Sequence, residues 1–113
     1  MAMAYRIQGQ LGPQRFSKAF DRLVLEHEIL HSVISEETGQ ATWFTLQGVP
    51  AGLTLELDDI DLSEDRLKFH LEKLASTPIK LTKQVYSSNL IRLADNDWLW
   101  FFNIHHIATD ATS

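Results

Sequence analysis

The stretch Trp98-Leu99-Trp100-Phe101-Phe102-Asn103-Ile104 constrains this chain most, because seven residues without a charge read as a strand buried in the middle of a sheet. A second strand-like run, Tyr86–Leu93, precedes it across Asp95-Asn96-Asp97, a triplet of turn-forming side chains. A central strand normally has chain on both sides of it, yet this one lies close to Ser113, the last of 113 residues. The expectation is a single partial domain over residues 1–113, the front portion of a larger unit.

The segments before it supply what a sheet needs for cover. Tyr5 to Gln10 reads as an opening strand, closed by Gly12-Pro13. Pro13 suits a first helical position, where its missing N–H leaves nothing unpaired. Phe16, Ala19, Phe20, Leu23, Val24 and His27 then recur at offsets of three and four, which predicts a one-sided helix of about 14 residues. Leu30–Ser35 and Ala41–Gln47 have strand chemistry around a turn at Glu36-Glu37-Thr38-Gly39, and so predict a hairpin. Leu53, Leu55 and Leu57 alternate with polar residues as a half-buried strand does. Ser63 is a candidate N-cap, Glu64 and Asp65 suit the positive end of a helix, and Leu67, His70, Leu71 and Leu74 form its apolar stripe up to Pro78. Together these predict an α+β fold, a two-layer α/β sandwich in which two main helices cover a mostly antiparallel or mixed sheet.

Charge and composition exclude several function classes. The formal charge is −5 and no lysine or arginine cluster exists, so neither nucleic acid nor an anionic membrane has an electrostatic partner here. The chain has no cysteine, which removes disulfides, thiol nucleophiles and thiolate metal sites and suits a reducing cytosol. No apolar run approaches the roughly 18–20 residues of a membrane span, and Met1-Ala2-Met3-Ala4-Tyr5-Arg6 lacks the order of a signal peptide. A cytoplasmic location is the expectation.

The chemistry therefore rests on five histidines. His27-Glu28-Ile29-Leu30-His31 spells the H-E-x-x-H zinc string, in which two imidazoles four apart on one helix grip a metal and the glutamate serves as base. Nothing downstream supplies a third ligand. His105-His106 with Asp110 is the second constellation. Adjacent strand residues point to opposite faces, so this pair suits one packed ring and one ring turned to a cavity rather than a shared metal. A neutral imidazole at the end of a buried strand can act as a general base.

The run His105-His106-Ile107-Ala108-Thr109-Asp110 resembles the His-His-x-x-x-Asp-Gly signature of the condensation domains of nonribosomal peptide synthetases. Those domains belong to the chloramphenicol acetyltransferase-like superfamily. The resemblance extends over nearly the whole chain. Ala4–Leu11 is similar to the family's opening strand, Glu26–Ser32 to its Arg-His-Glu-x-Leu-Arg-Thr pattern, and Pro78-Ile79-Lys80-Leu81 to its Pro-Phe-Asp-Leu segment. It implies part of the N-terminal lobe of a two-lobed fold with a reaction tunnel between the lobes. It also implies amide-forming acyl transfer between an acyl or peptidyl thioester and an aminoacyl acceptor, both on carrier proteins. His106 would be catalytic, with His105, Asp110 and His31 in supporting roles. No dissociable cofactor or metal is implied, since the phosphopantetheine arms belong to the partner carrier domains. The other partner is the remainder of the condensation domain and synthetase, and the chain alone is expected to be inactive and to self-associate.

Three departures from the pattern bear on activity. Glu26 and His31 stand at the family's two arginines, Ala111 at its glycine, and Ser87 at an arginine of the strand before the last hairpin. In the family an arginine holds the motif aspartate, and His31 could replace it against Asp110 only as an imidazolium. The alternatives are a catalytically silent carrier-docking module, a coenzyme A-dependent or ester-forming acyltransferase of the same superfamily, and, remotely, an H-E-x-x-H zinc metallopeptidase.

Overall fold

The computed structural model describes residues 1–36, 39–50, 52–57 and 63–108. Its centre is the hairpin of β5 (Tyr86–Ala94) and β6 (Asp97–Ile104), antiparallel as the two apolar runs require. Asn96 takes a φ of 59° between them, a left-handed turn position that asparagine tolerates. β1 (Ala2–Gln8) pairs antiparallel with the other edge of β6, and β4 (Thr54–Glu56) pairs parallel with β5, giving a mixed sheet of order β1-β6-β5-β4. The parallel pair is possible because α2 (Glu64–Ser76) makes the crossover between β4 and β5, a βαβ unit.

The two helices lie on opposite faces of the sheet, so the layers run helix, sheet, helix. Alternation along β6 separates the faces. Trp98, Phe102 and Ile104 join Phe20 and Val24 of α1 (Pro13–Glu26), while Leu99 and Phe101 meet Leu67, Leu71 and Leu74 of α2. Phe20 is the hub of the first face, with ring centroids 5.5 Å from Tyr86 and 6.0 Å from Phe102, both edge-on.

Both helices start as their sequences indicate. Pro13 opens α1, and the Ser63 hydroxyl accepts the Arg66 N–H at 3.3 Å to cap α2. The stripe of α2 holds with one exception: His70 Nε2 meets the Glu56 carboxylate at 3.0 Å, and Asn89 Nδ2 donates to the same group at 3.2 Å. β1 starts at Ala2 and stops at Gln8, earlier at both ends than the residues alone suggest, and Gly9 leaves it at a φ of 133° that favours glycine. Arg6 grips Asp97 with two hydrogen bonds of 3.0 and 2.6 Å and fixes this edge.

α1 ends at Glu26. A 3₁₀ turn over Glu28–His31 follows, so the expected strand from Leu30 begins only at β2 (Ser32–Ser35), which forms a separate two-stranded hairpin with β3 (Thr42–Thr45). Of the turn between them, Glu37 and Thr38 lie outside the described residues. The Ile34 N–H donates to the Leu81 carbonyl at 2.8 Å and ties the hairpin to the segment preceding β5.

Candidate active site

The two histidines sit just beyond the end of the central strand. β6 stops at Ile104, and the His105 N–H then donates to the Val85 carbonyl at 2.8 Å, continuing the ladder by one bond. From His106 the backbone turns helically, with the Ala108 N–H donating to the His105 carbonyl at 3.0 Å. Strand alternation therefore no longer applies. Instead of pointing to opposite faces, the two imidazoles stack, 4.5 Å apart with 25° between their planes.

Their environments differ. His106 is exposed, whereas His105 is half-buried and its Nδ1 accepts the Ile107 N–H at 3.1 Å. Burial holds the His105 imidazole below its ordinary titration range, with repulsion from His106 and from the Met1 amino group adding to it. His105 is thus a neutral acceptor, and His106 is the ring presented at the surface. That arrangement can accept a proton from an incoming nucleophile at His106.

The first motif is built into the same core. Leu30 and Ala108 are both buried in one cluster, which places the 3₁₀ turn and the turn after His106 on common packing. His31 is half-buried, and its Nδ1–H donates to the Val24 carbonyl at 2.9 Å, satisfying an acceptor at the open end of α1. Asp110, its expected partner, lies outside the described residues, as does Ala111. Ser87 is half-buried on β5 opposite Asn103 and borders a cavity with Pro78, Lys80 and Lys83.

Zinc ligation by H-E-x-x-H loses its geometry here. His27 has left the helix at φ −118°, so His27 and His31 do not share a helical face, and Glu28 accepts the Thr45 hydroxyl at 3.1 Å. Among the described residues no group of three or more histidine, cysteine or acidic side chains is placed to hold a metal. The Glu56–His70–Asn89 cluster was hidden from the sequence, because His70 fits the stripe of α2 by spacing and its partners lie on two strands.

An α+β fold with a histidine pair at the end of its central strand defines a class, and comparison with known proteins gives that class its family. The Condensation domain family matches residues 1–113 in full, and the chain belongs to it. Tyrocidine synthase 3 of Brevibacillus parabrevis is 27% identical over 95% of this chain, which spans 2% of that protein. The nonribosomal peptide synthetase kk1B of Curvularia clavata is 31% identical over 100% of the chain and 1% of its own length. The X-domain in complex with OxyB from teicoplanin biosynthesis superposes with a TM-score of 0.82 at 19% identity, over 95% of this chain and 23% of that one. The chain thus spans a small part of these proteins. No helix among the described residues is long and apolar enough to cross a membrane.

Proposed function

We propose that this chain supplies the histidine side of a condensation site that forms an amide between two carrier-bound substrates. The amine of an aminoacyl thioester attacks the donor thioester carbonyl. The C–N bond forms as the C–S bond breaks, and the phosphopantetheine arm of the donor carrier leaves as a thiol. His106 accepts the amine proton and returns it to the departing sulfur. The observation that carries this reading is the placement of His106, exposed on a turn that the buried strand β6 and a stacked neutral His105 hold in place.

In this reading His105, His31 and Asp110 are supporting residues. His31 anchors the first motif to α1, and Asp110 holds the loop after His106. No dissociable cofactor takes part, and the partners are the donor and acceptor carrier proteins together with the rest of the domain. Residues 1–113 are the N-terminal portion of that domain, ending just past the motif.

A second reading, a silent module that docks other proteins, draws on the departures at His31, Ser87 and Ala111 and on the resemblance to a domain found in complex with another protein. One assay separates the two. The polypeptide that carries this segment is mixed with loaded donor and acceptor carriers, and product is read by mass spectrometry of the carrier arms. Condensation predicts an extended acyl chain on the acceptor, whereas carrier binding without any extension overturns the catalytic reading.

A further inference from the structure

Lys80 and Lys83 lie on the turn between α2 and β5. The Lys80 carbonyl accepts the N–H of Lys83 at 2.9 Å and that of Gln84 at 3.0 Å, so the backbone winds once and brings the two lysines to one side. Both line a cavity of about 250 Å³ with Thr77, Gln84 and Ser87, and among the described residues no carboxylate borders it. Neither ammonium has an ion-pair partner among those residues, in a chain with 15 acidic residues against 10 basic ones. Like charges held side by side repel, and this pair lacks the acid that would offset it.

The uncharged donors around the pair are unequal. Thr77 Oγ1 already donates to the Lys73 carbonyl at 2.8 Å, and Gln84 Nε2 to the Tyr86 carbonyl at 3.0 Å. The Ser87 hydroxyl makes no hydrogen bond among the described residues and is the open donor of the cavity. Tyr86 packs toward α1, so alternation turns Ser87 to the other face of the sheet, that of α2. The family pattern has an aspartate at Lys80 and an arginine at Ser87, so this arrangement belongs to this chain and not to the pattern.

We propose that the cavity binds a phosphate ester, with Lys80 and Lys83 as its two charges and the Ser87 hydroxyl as a third donor. Lysine meets phosphate as a point charge, whereas a planar carboxylate favours the arginine fork, and no arginine borders this cavity. The site lies at the histidine end of the sheet, because Val85, two residues before Ser87, takes the His105 N–H on its carbonyl. Two sources of phosphate fit that place, the phosphopantetheine arm of a carrier and a free phosphorylated small molecule. The site does not depend on the reading of His106 as the base, since its test reads binding and needs no amide.

The test uses the polypeptide that carries this segment and follows acylation of each lysine by mass spectrometry at constant ionic strength. Acylation needs the neutral amine, and a bound anion favours the ammonium. Inorganic phosphate should therefore slow modification of Lys80 and Lys83 several-fold and leave Lys18, on α1 across the sheet, unaffected. Lys83→Gln should raise the phosphate concentration that protects Lys80 at least about tenfold, the scale of one lost hydrogen bond between charged groups. Absent protection, equal protection of Lys18, or protection of Lys80 unchanged in Lys83→Gln would each overturn the proposal. Phosphopantetheine and adenosine 3′,5′-bisphosphate then distinguish the sources. Protection at lower concentration by the first, with none from pantetheine, supports the carrier arm, and by the second a free phosphorylated ligand. If neither ester acts at lower concentration than inorganic phosphate, the cavity takes the bare anion and the ester assignment falls.

Discussion

Two half-buried groups, the His105 imidazole and the Glu56 carboxylate, have environments that substitutions can report on. His105 lies below its ordinary titration range through burial first and repulsion second. Its unfolded value is about 6.5, so the unfolded chain binds its proton at a higher pH than the folded one. Its contribution to stability is therefore fully present above about pH 6.5 and is lost as pH falls through the lower folded value. Urea titrations from pH 7.5 down to 5 should show a weakening that His105→Leu reduces, and an unchanged pH slope in that variant would contradict the assignment. The Glu56 carboxylate serves both His70 and Asn89. Glu56→Ala should cost about 1–3 kcal/mol, the scale of leaving donors without their acceptor, while a denaturation midpoint equal to wild type would show that water replaces the carboxylate. None of this could be read from spacing. His105 and His106 lie on one side only because β6 ends at Ile104, and His70 turns polar only because β4 and β5 bring Glu56 and Asn89 to it.

At the scale of elements the sequence was legible wherever one local rule governs. α1 runs from Pro13 for 14 residues because a proline start and an apolar stripe need no distant partner. The β5–β6 hairpin follows from two apolar runs and a turn triplet. Boundaries moved where pairing decides them. β1 takes in Ala2 because Ala2 and Met3 lie opposite Asn103 and Phe102 of β6. The strand expected from Leu30 starts at Ser32 because the 3₁₀ turn puts Leu30 into the core. The parallel pairing of β4 with β5 depends on a crossover that no local pattern announces. Phe20 joins α1 to the sheet through three rings, Tyr86, Trp100 and Phe102. Phe20→Ala should cost about 3–5 kcal/mol, read from the denaturation midpoint. A loss below about 1 kcal/mol would mean that α1 repacks freely, since only substitutions outside the core stay so small.

At the scale of the whole molecule, large apolar side chains and one sheet edge stand open. Phe69 is 70% exposed, Phe44 52% and Trp43 39%, and β1 ends the sheet with a free edge among the described residues. Apolar surface of this kind is usually covered, and the chain spans about a quarter of the solved condensation-fold structures it matches. The chain alone should therefore self-associate at tens of micromolar and form no amide. A clean monomer in sedimentation would count against the first statement, and amide product from the isolated chain against the second. The central claim, that His106 is the base, has one direct measurement: single-turnover amide formation between loaded carriers by the polypeptide carrying this segment, compared with its His106→Ala variant at saturating carrier. The account predicts a rate lower by about 10²–10⁴-fold with carrier binding retained, and a variant that condenses as fast as wild type would contradict it.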